Sequence, residues 1–286
     1  MSTWVWVDGN LSPAGDARVA ALDHGVTVGD GVFETCKVVD GTPFALTRHL
    51  GRLRRSADII GLRLPWDDDA LTAACAEAIG AAEIDAANAE SGVQRLRVTV
   101  TGGPGPLGSD RSDVPPTLVA AAGPGSPWPA TTAVATVPWV RNERSAVAGA
   151  KTTSYAENVV ALAEAHRHGA SEALLANTQG FLSEGTGSNV FLELDGLLCT
   201  PSLATGCLAG ITRALVCDVV DVVERDDLTF DDLRRTSEAF LTSSTRDVHP
   251  IDAVDGTPLG LRAPGPLTTA ASEAFAALQA RTLDPA

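Results

Sequence analysis

Residues 151–158 read KTTSYAEN and contain one of the two lysines of the chain. The segment TTAVATVPW at 131–139 is typical of a β-strand, and a polar loop leads from it to Lys151. A helix is predicted after the lysine, from about Tyr155 to His168. Arginine does not replace lysine where a nucleophilic amine is required, so Lys151 and Lys37 are the candidates for such a group.

The composition is that of a globular protein, with 44% hydrophobic and 20% charged residues in a chain of 286. This length is sufficient for two ordinary domains, each with its own core. No apolar run is long enough to cross a membrane, and MSTWVWVDGN lacks the features of a secretory signal. Five cysteines without metal-site spacing predict reduced thiols, a cytoplasmic location and no metal centre.

The charge balance restricts the partners that are expected. Thirty-six acidic and 21 basic residues give a formal net charge of −15. Nucleic acids and anionic membranes attract basic surfaces, so neither is expected as a partner. A small anionic ligand requires only a local group of donors and is compatible with this charge.

Strands and helices alternate in both halves of the chain, which predicts an α/β or α+β enzyme of two domains. The Gly/Pro-rich stretch GPGSPWP at 123–129 is the predicted linker. Residues 1–122 are then a small N-terminal domain and residues 130–286 a larger domain, with the site expected in the crevice between them. In the small domain, Thr47 is predicted to cap a helix that ends at Gly61.

Two patterns are interpreted as non-functional. GPGPLG at 103–108 matches a dinucleotide-binding pattern, but prolines in and after it prevent the helix that such a site requires, which favours a loop. His166 and His168 lie two positions apart on a helix and face different ways, so they are expected to be surface histidines.

Several segments have features that fit an anionic or heterocyclic ligand, each with an ordinary structural alternative. LAGITR at 208–213 begins a helix, where free N–H groups favour a phosphate or simply start a helix. The loop at 242–245 has hydroxyl groups after a strand, and Arg52 lies in a basic cluster whose ordinary interpretation is a solvated surface. Glu184, beside a Gly-Thr-Gly turn, could pair with a protonated ring nitrogen or be a turn residue.

Five of these segments occur together in an order that is specific. They are GDGVFET (29–35), RHLGRL (48–53), KTTSYAEN (151–158), SEGTGSNVF (183–191) and LAGITR (208–213). The combination resembles the class-IV aminotransferases, the fold-type-IV pyridoxal-phosphate enzymes. That family includes branched-chain and D-amino-acid transaminases and aminodeoxychorismate lyase.

The resemblance implies roles for individual residues. Lys151 matches the lysine that forms the Schiff base with pyridoxal 5'-phosphate, and Glu184 matches the acid that pairs with the pyridine nitrogen. Four residues match phosphate ligands: the guanidinium of Arg52, the backbone of Ile211 and Thr212, and the hydroxyl of Ser244.

The sequence also departs from the family pattern around the substrate. Tyr155 lies four residues after Lys151, whereas branched-chain enzymes have a cofactor-contacting tyrosine five residues after the lysine. Lys37 replaces an arginine of those enzymes, and TGGPG at 101–105 replaces the R-x-H carboxylate trap of the D-amino-acid enzymes. Arg97 matches an arginine near the substrate in the branched-chain enzymes, so Arg97 and Lys37 are the expected substrate-binding residues. The alternative for Arg97 is a strand arginine that is paired with an acid.

The resemblance therefore predicts a transaminase that moves an amino group between an amino acid and a 2-oxo acid. The alternative is 4-amino-4-deoxychorismate lyase, which uses the same cofactor to eliminate pyruvate and release 4-aminobenzoate. A homodimer is expected from the resemblance alone.

Overall fold

The computed structural model describes residues 3–86, 94–260 and 262–285. Helices and two β-sheets are present, so the predicted mixed α/β class is confirmed. In the described part of the chain, no helix is long and apolar enough to cross a membrane.

The chain forms two compact units. The first contains Met1–Ser126, Ala150–Tyr155 and Leu283–Ala286, and the second contains Pro127–Gly149 and Ala156–Thr282. The chain passes from one unit to the other inside the predicted linker, but it returns twice to the first unit. A single boundary at the linker therefore does not separate the two units. The KTTSYAEN segment begins in the first unit and continues in the second unit.

The first unit is built on an antiparallel sheet of six strands, counted within the described residues, in the order β2-β1-β6-β5-β3-β4. Its strands and helices are, in chain order, β1 (Trp4–Val7), β2 (Asn10–Pro13), α1 (His24–Thr27), β3 (Gly31–Val39), β4 (Thr42–Pro43), α2 (Leu46–Ile59), α3 (Asp68–Ala86), β5 (Arg95–Thr101) and β6 (Thr117–Gly123).

One face of this sheet forms the core of the unit. Alternate residues of β3 and β5, among them Val32, Cys36, Leu96 and Val98, are buried with apolar residues of α2 and α3. The other face contains the intervening side chains of the same strands, because successive strand residues point to opposite sides.

The start of α2 differs from the prediction. Ala45, in a left-handed conformation with φ 57°, is the N-cap, and it has no side-chain capping bond. The predicted cap Thr47 is wrong, because this residue lies inside the helix and bonds Asp284 through its N–H and its hydroxyl. The strand predicted from Val93 begins at Arg95, and Val93 itself lies outside the described residues.

The second unit contains a mixed sheet whose main path, within the described residues, is β12-β11-β10-β13-β14-β7-β8-β9, with β15 beside β14. Its strands and helices are β7 (Thr132–Arg141), α4 (Ala156–Arg167), β8 (Glu172–Asn177), β9 (Leu182–Gly185), β10 (Asn189–Leu194), β11 (Leu197–Pro201), a 3-10 turn (Leu203–Thr205), α5 (Ile211–Val219), β12 (Val223–Arg225), α6 (Phe230–Arg235), β13 (Ala239–Ser243), β14 (Asp247–Val254), β15 (Thr257–Pro258) and α7 (Pro266–Arg281).

The centre of this sheet combines parallel and antiparallel strand pairs. Strands β14, β7 and β8 are parallel neighbours, whereas β9, β10 and β13 make antiparallel pairs. Ala135, Ala161 and Ala173 pack α4 against β7 and β8, and small side chains allow this close approach.

Candidate active site

The segment around Lys151 is held against the start of β3 by backbone hydrogen bonds. Phe33 N–H donates to Lys151 C=O at 3.0 Å, and Thr153 N–H donates to Gly31 C=O at 2.8 Å. The N–H of Lys151 donates to Ser56 Oγ of α2 at 3.0 Å. The lysine backbone is therefore fixed on both sides by the first unit.

The glycines of GDGVFET are required by this close approach. Gly29 has φ +70°, and a Cβ there would lie 2.8 Å from Ser154 Oγ. A Cβ on Gly31 would lie 2.8 Å from the carbonyl oxygen of Val100. A larger residue at Gly29 would collide with the segment that follows Lys151, and one at Gly31 would collide with the neighbouring strand β5.

The amine of Lys151 lies among aromatic groups. Its Nζ donates a hydrogen bond to Tyr155 Oη at 3.2 Å and lies 4.4 Å from the ring centroid of Phe33. The rings of Phe33 and Tyr155 meet edge to face, with centroids 5.1 Å apart. Spacing of four residues is thus sufficient for the Tyr155 hydroxyl to reach the lysine.

Arg97 contacts the same aromatic cluster. Its Cζ lies 3.7 Å from the ring centroid of Phe33, and its Nε donates to Thr99 Oγ1 at 3.3 Å. Within the described residues Arg97 forms no ion pair, so the alternative of a strand arginine neutralised by an acid is not found there. Lys37 lies on the same sheet face, four residues beyond Phe33 on β3.

Arg52 lies on α2, one turn before Ser56, and forms a buried ion pair. Its Nε and Nη2 donate to Oε1 and Oε2 of Glu34 at 2.8 and 2.7 Å, and His49 Nδ1 lies 2.6 Å from Oε2. All three side chains are buried. The predicted phosphate arginine is therefore neutralised by a carboxylate of its own unit.

The electrostatics of this trio follow from its burial. Burial by itself would raise the pKa of Glu34, but the charge and hydrogen bonds of Arg52, with His49, outweigh it and lower this pKa to about 2. Burial lowers the pKa of His49 despite its contact with Glu34. The pair Arg52–Glu34 is thus ionised at neutral pH.

In the second unit, Glu184 lies in β9 with both oxygens engaged. Oε2 accepts the N–H of Leu208 at 2.9 Å, and Oε1 lies 2.9 Å from Nε of Arg141 at the end of β7. Arg141 also donates to Oδ1 of Asn158 at 3.2 Å. Glu184 is 8% exposed, so this carboxylate is held in one orientation in a largely buried setting.

The turn after Glu184 is organised by a second buried acid, Glu172. Its oxygens accept Thr186 N–H at 3.0 Å, Ser188 Oγ–H at 2.9 Å and the hydroxyl of Thr186. A Cβ on Gly185 would lie 3.1 Å from the Glu172 side chain. Glu172 therefore fixes the turn that follows Glu184.

The N-terminus of α5 lies beside polar groups that suit an anion. The N-cap residue is Gly210, and no side chain of the described residues makes a capping hydrogen bond to the helix. The first N–H groups of the helix, including those of Ile211 and Thr212, have no acceptor within the helix. Asn189 is so close that a Cβ on Gly210 would clash with its amide. Its cross-strand partner Thr242 has a buried hydroxyl without a hydrogen-bond partner among the described residues.

The predicted site residues are thus distributed as follows. The first unit brings together Lys151, Tyr155 and Arg97, with Arg52 one helical turn from the Ser56 contact. The second unit contains Glu184 and the start of α5, and Ser244 directly follows β13. No group of three potential metal ligands occurs in the described residues.

Sequence reasoning missed Phe33, Glu34, Arg141 and Glu172, whereas Thr242 lies in the loop that it singled out for its hydroxyl groups. Glu34 could have been found, since the alternation of GVFETCKVV places it with Val32 and Cys36 on the buried face, where a carboxylate requires a cation. The contact between Arg141 and Glu184 has no local sequence signal, because the two residues lie far apart along the chain.

A lysine amine that is held in a defined position beside aromatic rings is compatible with an enzyme that uses lysine as a nucleophile toward carbonyl compounds. A family model described as amino-transferase class IV matches residues 31–254. The chain belongs to this family, and it is an enzyme.

Individual relatives agree with this membership. The chain is 30% identical to the branched-chain-amino-acid aminotransferase of Pseudomonas aeruginosa, over 95% of this chain and 91% of the relative. It is 30% identical to the D-alanine aminotransferase of Listeria innocua, over 92% of each. The solved structure of the Escherichia coli branched-chain amino acid aminotransferase has a TM-score of 0.84 at 26% identity, over 97% of this chain and 94% of the other. These relatives are named as aminotransferases, and nothing in them favours the lyase alternative.

Proposed function

We propose that this chain is a pyridoxal-phosphate-dependent transaminase that moves an amino group between an amino acid and a 2-oxo acid. The observation that carries the proposal is the position of Lys151 Nζ, 3.2 Å from Tyr155 Oη and 4.4 Å from the Phe33 ring centroid. A lysine that attacks a carbonyl group must be held in a defined position, and both contacts contribute to this.

The residues of the second unit fit pyridoxal phosphate. The start of α5, with uncapped N–H groups and the unpartnered hydroxyl of Thr242, suits a phosphate. Glu184, largely buried and oriented by Arg141, suits a protonated ring nitrogen. When bound, the cofactor supplies an electron sink for the charge left on the substrate carbon.

We assign the proton transfer to Lys151. Its amine takes the proton from the substrate carbon and gives it up again during transfer of the amino group. Tyr155 accepts a hydrogen bond from Nζ and so directs the amine. Glu184 holds the proton of the pyridine nitrogen, while Arg141 and the Leu208 N–H keep its oxygens in place.

The remaining predicted residues would bind phosphate or substrate. Ile211 and Thr212 would donate backbone N–H groups and Ser244 its hydroxyl to the phosphate. Arg52, whose Nε and Nη2 donate to Glu34, would also contact the phosphate. Arg97, which stacks on Phe33 beside the lysine, would bind a substrate carboxylate.

The proposal is tested by mixing the holoenzyme with single amino acids, each enantiomer of alanine, glutamate and leucine. A transaminase loses its yellow absorbance in a stoichiometric reaction with the donor and regains it when pyruvate or 2-oxoglutarate is added. Lys151→Ala is the control without reaction. Continuous formation of pyruvate and 4-aminobenzoate from aminodeoxychorismate, with no response to any amino acid, would overturn the proposal in favour of the lyase.

The homodimer is also proposed on the family resemblance. The cytoplasmic location expected from the sequence stays a prediction.

A further inference from the structure

Arg111 lies in the loop between β5 and β6 and is hydrogen-bonded to two other segments of the first unit. Its Nε and Nη2 donate to the two carboxylate oxygens of Asp30 at 2.7 and 2.6 Å. Its Nη1 donates to Gly61 C=O at 2.5 Å, and its Nη2 also donates to Ile60 C=O at 2.9 Å. A guanidinium suits such a set of acceptors, because its N–H groups point in fixed directions in one plane.

The contacts with Ile60 and Gly61 close the C-terminal end of α2. The last carbonyl groups of a helix have no partner within the helix, and a cation at this end interacts favourably with the helix dipole. Ile60 N–H donates to Ser56 C=O at 3.3 Å, so Ser56 belongs to the turn that Arg111 closes. Ser56 Oγ accepts the N–H of Lys151. Arg111 therefore stabilises the helical turn that holds one side of the lysine backbone.

The contact of Arg111 with Asp30 fixes the other element that holds the lysine segment. Asp30 lies between Gly29 and Gly31, and both of these neighbours bind Thr153. Gly29 C=O accepts the Thr153 hydroxyl at 2.8 Å, and Gly31 C=O accepts the Thr153 N–H, also at 2.8 Å. The hydrogen bonds of Arg111 lower the pKa of Asp30, so its carboxylate is ionised at neutral pH. Binding of Asp30 thus restricts the start of β3, where the lysine segment is attached.

The position of Arg111 distinguishes it from an ordinary surface arginine. Exposed ion pairs usually contribute little to stability. The side chains of Arg111 and Asp30 are 32% and 15% exposed, so water reaches this pair only in part, and buried His24 has its Nδ1 3.5 Å from Asp30 Oδ2. Arg111 binds both the end of α2 and the start of β3, which are the elements that hold the Lys151 backbone.

We propose that Arg111 is a positioning residue for Lys151, which acts through Ser56 on one side and through Asp30 on the other. This inference rests on the proposed role of Lys151 in transamination, and no step of the proton transfer is assigned to Arg111. Without the guanidinium, the last turn of α2 and the start of β3 lose their common partner, and the lysine backbone gains freedom. An amine that is held less firmly reacts more slowly, because fewer of its positions are productive.

Hydrogen exchange of the full chain, measured by mass spectrometry without cofactor, tests the positioning directly. Arg111→Leu should accelerate exchange at least about fivefold at residues 56–62 and 150–156, because opening of these segments no longer breaks the Arg111 contacts. Exchange in β5 and β6 should stay unchanged. Acceleration throughout the first sheet, or none at 150–156, would overturn the proposal.

Arg54→Leu is the matched control. The Arg54 side chain is 33% exposed, against 32% for Arg111, and it too binds a carboxylate and a backbone carbonyl, those of Asp68 and Trp66. These partners lie at and just before the start of α3. Its substitution should leave exchange at 150–156 unchanged, and an equal effect of the two substitutions would contradict a specific role of Arg111.

Two further variants separate the geometry of Arg111 from its charge. Arg111→Lys keeps the charge but not the planar fork, so its exchange at 150–156 should stay closer to that of Arg111→Leu than to that of the unaltered protein. Full recovery by lysine would refute the link between two segments. If Arg111→Leu does not fold, Asp30→Asn should accelerate exchange at 150–156 by a smaller factor, and no change there would overturn the proposal.

Kinetics of the holoenzyme separate this inference from the proposed function. Arg111→Leu should lower kcat about tenfold and change KM by less than about twofold, because the lysine rather than substrate binding is affected. A loss confined to KM would contradict the positioning of Lys151. If no amino acid reacts with the unaltered holoenzyme, the transaminase function is wrong, and the exchange measurement still decides on Arg111. If amino acids react and Arg111→Leu leaves exchange at 150–156 unchanged, only the positioning role is wrong.

Discussion

Arg52 donates two parallel hydrogen bonds to Glu34, at 2.8 and 2.7 Å, inside the core of the first unit. His49 contacts the same carboxylate at 2.6 Å. The arginine that the sequence predicts as a phosphate ligand is therefore also a structural residue. Its removal leaves a buried carboxylate with only His49 as its remaining side-chain partner among those described here.

The first prediction concerns Arg52. Arg52→Ala should lower the free energy of unfolding by about 3–5 kcal/mol, because it leaves Glu34 charged and uncompensated in the core. Urea unfolding of the apoprotein measures this effect without a contribution from the cofactor. Arg54→Ala is the control on the same helix: its pair with Asp68 is partly exposed, and its loss should cost less than about 1 kcal/mol. Equal stability of the two variants would show that Arg52 has no structural role.

The second prediction is a dependence of stability on pH. The pKa of Glu34 is lowered from 4.5 to about 2 in the folded protein, so its contribution is present above pH 4.5 and lost as the pH falls toward 2. Between about pH 6 and pH 3 this group should account for about 2 kcal/mol of the loss in unfolding free energy. Glu34→Gln, though less stable, should show a correspondingly shallower slope in this range, and an unchanged slope would contradict the assignment.

The third prediction assigns the covalent attachment. Lys151→Ala should retain no covalently attached cofactor after incubation with pyridoxal phosphate, borohydride reduction and dialysis, because no amine is available at that position to form the bond that borohydride makes permanent. Lys37→Ala is the natural control, since it removes the only other lysine. Peptide mapping of the reduced protein should find the label on Lys151, and a label on Lys37 would refute the assignment.

The fourth prediction concerns Glu184. Glu184→Gln should retain the cofactor but lose turnover by about 10²-fold, since a neutral amide does not hold the proton of the ring nitrogen. Glu157→Gln is the matched control: its side chain is 61% exposed, and its oxygen lies 3.7 Å from Arg141. Steady-state rates and the cofactor content of both variants are compared. Undiminished turnover of Glu184→Gln would remove this residue from its assigned role.

The fifth prediction is the homodimer. Light scattering of the holoenzyme should give about twice the chain mass of 29.4 kDa. Dilution should show that activity declines with the dimer fraction. A fully active monomer at nanomolar concentration would exclude a requirement for assembly.

Much of the fold was predictable because its signals are local. The alternation of GVFETCKVV predicts strand β3, and the Gly/Pro-rich run at 123–129 marks where the chain leaves the first unit. The five motifs predict the family from their order along the chain, and the match over residues 31–254 agrees with this. The capping of α2 was not predictable, because Thr47 bonds Asp284, 237 positions away.

The sequence by itself determined the family, the mixed α/β class and the short list of two lysines, because residue type and spacing are sufficient for these. Only the tertiary structure decided what each side chain contacts. It showed that Tyr155 reaches Lys151 from four residues away, that Arg52 is neutralised by Glu34, and that Arg95 faces Lys37 across two strands. These relationships depend on strand register and on the packing of helices, which bring residues that are distant in the chain within a few ångströms of each other. The local sequence has no signal for such contacts.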